Sequence, residues 1–191
     1  MTYDTLMNIR LNMIPTIYIR AFDSDFYQVF DKTMLNTIRS AYTSRFHVEL
    51  YMTPTAYSNL DGAQQVQNLY TGLVDNYIRV YALWIKVDQI ENWPKDTTRN
   101  ANIVRSAVKA AKQLGFRKIG IYTSLEEWNT ITGNITDIDS DTLLWYHIFD
   151  SPANFDDFKS FGIWQTPSVK QYKKDDELEG ATVNRDIFSY N

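Results

Sequence analysis

Tyr81-Ala82-Leu83-Trp84-Ile85-Lys86-Val87-Asp88-Gln89, closed by Glu91-Asn92-Trp93-Pro94, is the stretch on which the fold turns. At a period of two, Leu83, Ile85 and Val87 share one face while Trp84, Lys86 and Asp88 share the other, the pattern of a β-strand. The first face is plain core. The second sets an aromatic ring, a cation and an anion in a row, with the anion at the strand's C-terminal end, where parallel α/β folds carry their chemistry. Two readings are open from this stretch alone: a strand that ends in a site, or a half-exposed edge strand whose Lys86 and Asp88 meet water.

The flanking chain bears on that choice. Upstream, residues 3–13 read as a short helix with Leu6, Ile9 and Met13 at near-helical spacing, stopped by Pro15. Residues 16–22 read as a strand by their β-branched and aromatic content, followed by the acidic turn Asp23-Ser24-Asp25. Asp31 is an N-cap for a helix carried by Met34, Leu35, Ile38 and Tyr42. Residues 47–52 alternate again, with His47, Glu49 and Tyr51 on the polar face, and residues 62–75 form an amphipathic helix. Downstream, residues 95–98 offer N-caps for a helix with Ile103, Val104, Ala107, Val108, Ala111 and Leu114 in one stripe, and Gly115 ends it. Residues 118–123 are the next strand, and Ser124 caps a short helix through Trp128. Residues 143–148, 168–172 and 181–186 are further strands, set apart by the acidic and aromatic loop 154–158. Strands alternate with helices for two-thirds of the chain and then follow one another, which predicts a parallel α/β barrel with a degenerate last third.

Composition bounds the function. A chain of 191 residues with 44% hydrophobic and 15% aromatic residues can bury a full core, and its size predicts one domain over residues 1–191. The formal net charge of -4, without a dense block of Lys and Arg, leaves no footprint for nucleic acid or an anionic membrane. No window approaches eighteen consecutive apolar residues. The first fifteen residues, interrupted by Asp4, Asn8, Arg10 and Asn12, hold no apolar core long enough for a secretory signal, so the chain is expected to stay inside the cell or to start elsewhere. The absence of cysteine excludes disulfides, thiolate metal sites and a cysteine nucleophile, and with only His47 and His147 no metal or other cofactor is expected.

Five blocks then stand in a telling order: residues 84–93; Gly120-Ile121-Tyr122-Thr123-Ser124 with Trp128; Leu144-Trp145-Tyr146; Phe155-Asp156-Asp157-Phe158 with Phe161-Gly162; and Pro167-Ser168-Val169-Lys170-Gln171-Tyr172. Their order and spacing resemble glycoside hydrolase family 25, the Chalaropsis-type lysozymes, and in particular its nematode-type members, over residues 6–186. The resemblance implies an irregular (β/α) barrel of the TIM-barrel-like glycosidase type, secretion or lysosomal delivery, and action on bacterial peptidoglycan in innate defence or bacterial digestion. It also exposes departures. Where the family carries Asp-x-Glu at the end of its fourth strand, with the Glu as proton donor, this chain has Lys86-Val87-Asp88. The family's first strand, with another active-site Asp, would precede residues 3–13. Near the C-terminus the family's Asp-x-Asn becomes Asn184-Arg185-Asp186, and the nematode-type cysteine positions near residues 53–57 and 178–180 hold none. A barrel lacking its first strand is expected to leave a gap between residues 16–22 and 168–187, and its open edges are expected to make the chain a homo-dimer or poorly soluble.

These substitutions have chemical consequences. A glycosidase needs one carboxyl kept protonated and a second negative group facing an oxocarbenium-like transition state. Lys86 supplies the wrong sign, and two residues from Asp88 on the same face it opposes use of that carboxyl as an acid. Asp88 is also one methylene shorter than Glu, and a displacement of about 1 Å can cost on the order of a hundredfold. Asp186 offers a second carboxylate, either for an acid pair with Asp88 or for a structural ion cluster around Lys86. Trp84, Tyr122, Trp145 and Tyr146 present faces suited to pyranose rings, or else they are core. Glu49 and Tyr51 reach the same cleft or, for Glu49, pair with Arg20 or Lys86 inside the barrel. Asn184 and Gln171 point inward, and His147 reads as structural. Asn134-Ile135-Thr136 is a glycosylation acceptor sequence. Two functions follow: a lysozyme-like protein that holds peptidoglycan or a related amino-sugar polymer without cutting it, or a muramidase that uses Asp88 and Asp186.

Overall fold

The computed structural model describes residues 3–11, 16–23 and 29–189. Helix α1 (Tyr3–Leu11) precedes strand β1 (Thr16–Arg20), and a two-residue ribbon, β2 (Phe22–Asp23) with β3 (Val29–Phe30), follows it. Then come α2 (Leu35–Thr43), β4 (His47–Met52), α3 (Gly62–Asp75), β5 (Ala82–Lys86), α4 (Thr97–Gln113), β6 (Lys118–Thr123), α5 (Leu125–Thr132), β7 (Leu143–His147), β8 (Val169–Leu178) and β9 (Ala181–Phe188). Seven strands form one sheet in the order β1-β4-β5-β6-β7-β8-β9, parallel throughout except for the antiparallel β8–β9 hairpin. Strand β5 is flanked on both sides and Asp88 is buried, which removes the edge-strand reading of the opening stretch.

Local chemistry starts the helices where the sequence indicates. Asp61 accepts from the Gln64 amide while the Gln64 side chain returns to the Asp61 amide, a capping box that fixes the start of α3. Asp96 caps α4 through the Arg99 amide, and Ser124 with Glu127 makes a second capping box on α5. Gly133 follows α5 at φ 73°, a conformation that costs a glycine little.

The sheet curls strongly enough to enclose its inner face. The Tyr18 ring on β1 lies 4.3 Å, centroid to centroid, from Trp145 on β7, although three strands intervene. A flat sheet would hold them roughly 19 Å apart. The alternation in β5 now has a physical meaning. Leu83, Ile85 and Val87 face outward into the main core beneath α3 and α4, where each fully buried aliphatic side chain contributes about 1.5–3 kcal/mol. Trp84 faces inward and packs with Tyr18, Tyr51, Tyr122, Trp145 and Val169 in a second, interior cluster. Gly120 makes room for it: a Cβ there would lie 2.1 Å from Cζ3 of Trp84.

Strands β1 and β9 are the two edges of this half-barrel, so the expected gap between residues 16–22 and the 168–187 region is present. The expected strand 16–22 divides, because Ala21 still donates to the Tyr51 carbonyl at 2.9 Å while Phe22 turns out of the sheet to pair with Phe30. The last strands are longer than expected and join as one hairpin across Glu179 and Gly180, both at positive φ. Met13, Pro15, Ser24 and Asp25, used above to bound elements, lie outside the described residues. No helix among the described residues is long and apolar enough to cross a membrane.

Candidate functional site

A cavity of about 540 Å³ lies along the inner face and opens at the gap between β1 and the β8–β9 hairpin. Tyr51, Lys86, Tyr122, Trp145, Gln171, Asn184, Arg185 and Asp186 line it, together with Tyr18 and Ile17 from the edge strand. Strand register explains the gathering. Lys86 pairs with Tyr122, Tyr122 with Trp145, Trp145 with Val169, and Val169 with Phe188, so one oblique row of inward positions crosses five strands. One step further along, His147, Gln171 and Asp186 form the next row.

At the C-terminal end of β5, the Lys86 ammonium meets Asp88 at 2.9 Å. The same ammonium lies 4.7 Å from the centre of the Tyr122 ring and 5.5 Å from that of Tyr51. Asp88 is buried behind it, and its backbone carbonyl accepts from the Trp93 indole at 3.0 Å, which ties the Trp93-Pro94 turn to the strand end. Gln89 then takes a left-handed conformation at φ 56°. Glu127 supports that strained turn by accepting from the Gln89 amide at 3.2 Å while its other oxygen caps α5.

Across the cavity a polar relay joins distant parts of the chain. The Tyr122 hydroxyl donates to Oε1 of Gln171 at 2.9 Å, and the Asn184 amide donates to the same oxygen at 3.3 Å. Gln171 in turn donates to Asp186 at 3.3 Å, and the Trp145 indole donates to the same carboxyl oxygen at 2.8 Å. Burial pushes the Asp186 carboxyl up to about 7 despite these two donors. Burial, together with the nearby Asp88, Glu127 and Asp186 carboxylates, also pushes the Tyr122 phenol far up, so its hydroxyl keeps its proton. His147 stacks on Tyr122 and Phe149 and sits 3.3 Å from Glu127. Burial brings it down to about 4, so it is neutral at pH 7.

Not every residue grouped on sequence belongs to this wall. Glu49 and Trp84 lie beneath it, at the other end of the barrel. The Trp84 indole donates to Glu49 at 2.6 Å, and the second Glu49 oxygen holds Lys118 at 2.7 Å and His47 at 3.2 Å. Glu49 thus pairs with neither Arg20 nor Lys86; Arg20 meets Asp31. Glu49 borders a separate cavity of about 530 Å³ with Thr16, His47, Lys118 and Ser168, all near strand beginnings. Alternation told the face correctly but not the depth. Tyr146 points outward and donates to Asp157, which with two backbone carbonyls also holds the fully buried Lys170. Conversely, Tyr18, Glu127 and Arg185 were missed. The signal for Tyr18 was its alternation with Ile17 and Ile19, and that for Glu127 was the Ser-x-x-Glu cap set directly after a strand. Among the described residues no group of three His, Asp or Glu side chains is placed to hold a metal ion.

Comparison with known proteins agrees with this architecture. The family model described as lysozyme-like protein 1 matches residues 1–172. Lysozyme-like protein 7 of Caenorhabditis elegans is 40% identical over 179 residues, covering 90% of this chain and 63% of its own length. A probable GH family 25 lysozyme of Dictyostelium discoideum is 33% identical over 146 residues, 75% of this chain and 65% of its own length. The chain therefore spans somewhat under two thirds of the length of these relatives. Among solved structures, a bacterial lysozyme from Streptomyces coelicolor superposes with a TM-score of 0.77 at 16% identity, covering 96% of this chain and 85% of that one. A muramidase from Trichobolus zukalii gives 0.75 at 15% identity, covering 97% and 87%. The blocks read in the sequence, the curled half-barrel and these matches agree: the chain belongs to the lysozyme-like protein 1 family, a lysozyme-like family of the glycoside hydrolase family 25 type.

Proposed function

We propose that residues 1–191 form one lysozyme-like domain that holds bacterial peptidoglycan, or a related amino-sugar polymer, in the half-barrel cavity and hydrolyses it poorly or not at all, serving innate defence or bacterial digestion. The observation that carries this reading is the 2.9 Å ion pair of Lys86 with Asp88 at the end of β5. Glycosidic cleavage calls for two carboxyl groups flanking the bond, one to give a proton and one to face a developing positive charge. Here a cation stands at one of the two positions and engages the carboxylate at the other. An ammonium repels an oxocarbenium ion, and Asp88 is shorter than the family's Glu. The binding half of the reading draws on Tyr51, Tyr122 and Trp145, whose rings line the cavity, and on Gln171 and Asn184, whose amides suit hydroxyl and acetamido groups.

The raised Asp186 carboxyl favours a second reading. A group held near 7 that lines the cavity can carry a proton at neutral pH, as a general acid must, and Asp88 would then be the partner of an active muramidase. Clearance of bacterial cell walls between pH 4 and 7 separates the two. The first reading expects no clearing above background, and expects the Lys86→Asp, Asp88→Glu double change to recover little, since catalytic groups act as a unit. Clearing by the unmodified chain that Asp88→Asn or Asp186→Asn abolishes would establish the second.

A further inference from the structure

We propose that the turns leading into β4, β5 and β6 form a docking surface for an acidic segment of a partner protein, at the end of the sheet away from Lys86. These strands are parallel neighbours about 4.8 Å apart, so the turns that enter them lie side by side. Arg45, Arg79 and Arg117 stand in these turns, one before each strand, and all three are exposed. Exposed rings stand among them: Tyr42 is 40% exposed, Tyr77 95% and Tyr81 56%. Direct contacts hold the set together. The Tyr42 hydroxyl donates to the Arg79 carbonyl at 2.7 Å, the Arg117 amide donates to the Tyr81 carbonyl at 2.8 Å, and the Arg117 guanidinium lies 5.1 Å from the centre of the Tyr81 ring. The length of β5, roughly 17 Å, separates this surface from Lys86.

Two independent observations point to a partner. Arg20, Arg105 and Arg185 are each held by an aspartate, whereas Arg45, Arg79 and Arg117 form no ion pair among the described residues, and Asp75 at the end of α3 closes on none of them. The second observation lies in the backbone. The residue that follows the C-cap of α2, α3 and α4 is left-handed in each case: Arg45 at φ 60°, Tyr77 at φ 57° and Gly115 at φ 89°. Glycine takes this conformation freely, but an arginine and a tyrosine do not, and a ring as exposed as Tyr77 has little contact within the fold to offset the strain. Arginine and tyrosine are the side chains enriched where protein interfaces hold their binding energy, and the guanidinium fork pairs with carboxylates two bonds at a time. A nucleic acid fits less well, since these few cations on a chain of net charge -4 neutralise few phosphates.

The test is a fluorescence-anisotropy titration of the intact chain with a labelled peptide of alternating glutamate and tyrosine, its glutamine counterpart, and a labelled single-stranded oligothymidylate. The acidic peptide is expected to bind about tenfold or more tightly than the glutamine peptide at low salt, with the gap narrowing as salt rises. Arg45→Gln with Arg79→Gln should abolish that preference. Lys32→Gln with Lys95→Gln removes the same charge near the first turns of α2 and α4 and should keep it. Tyr77→Gly separates docking from folding: it relaxes the left-handed backbone and should leave Tm unchanged or higher, yet weaken capture of the acidic peptide about threefold or more. Equal binding of the two peptides, a preference that survives the arginine changes or is lost equally with the lysine changes, or tighter binding of the oligothymidylate than of the acidic peptide, would overturn the proposal.

Discussion

Replacing Asp186 with Asn tests the electrostatics of the cavity through stability alone. The Asp186 carboxyl is pushed from its ordinary 3.8 up to about 7 by burial, although Trp145 and Gln171 both donate to its Oδ1. An Asn can accept from the same two donors through its own Oδ1, so the change removes the charge and keeps the contacts. Below pH 3.8 the carboxyl is neutral in the folded and the unfolded chain, and the variant should match the parent. Between 3.8 and about 7 only the folded chain keeps the proton, so this group's contribution to stability falls as pH rises, by about 1.4 kcal/mol per unit. The full window corresponds to about 4 kcal/mol, and because the cavity wets one side of the carboxyl, an advantage of about 2 to 4 kcal/mol for Asp186→Asn is expected above pH 7. His147 acts in the opposite direction: brought down to about 4, it weakens the fold as pH falls from its ordinary 6.5. The difference between variant and parent isolates Asp186 from that slope. Urea unfolding of both at pH 4 and pH 8 reads it directly. An advantage that does not grow with pH, or a variant less stable than its parent at pH 8, would refute the reasoning.

Gly120→Ala should lower stability by about 1–3 kcal/mol, read as a lower urea midpoint, since the new Cβ would press on a Trp84 ring pinned to Glu49; an unchanged midpoint would show that the ring has room to move. Lys170→Met should cost about 3 kcal/mol by leaving Asp157 and two backbone carbonyls without their cation, read as a lowered Tm. Adding Asp157→Asn should recover part of that loss, and strict additivity of the two changes would contradict the pairing.

What the sequence disclosed and what it withheld divide along physical lines. The faces of β4 and β5, the bounds of α3 and the caps of α4 and α5 depend on neighbours a few residues apart, and all were legible. Depth in the barrel was not: Glu49 and Tyr51 share a face, yet only Tyr51 reaches the cavity, because the curl and oblique register of the sheet decide height. The hairpin extends through Lys173–Asp176, charged residues without alternation, because the antiparallel partner across the Glu179-Gly180 turn supplies the pairing. The Tyr122–Gln171–Asp186 relay joins residues 49 and 15 positions apart and depends on the whole sheet closing around it. Glu127 was hidden by its own local role, since a cap residue needs no further explanation until its second oxygen is found on the Gln89 amide.

The central claim, a lysozyme-like cavity that holds its polymer without cutting it, is tested most directly by sedimenting the chain with purified insoluble peptidoglycan and assaying the same supernatant for released reducing ends. The protein is expected in the pellet, displaced by soluble peptidoglycan fragments, with reducing ends at the level of buffer alone across pH 4 to 7. Sustained release of reducing ends, lost in Asp88→Asn or Asp186→Asn, would contradict the account, and so would a protein that stays in the supernatant.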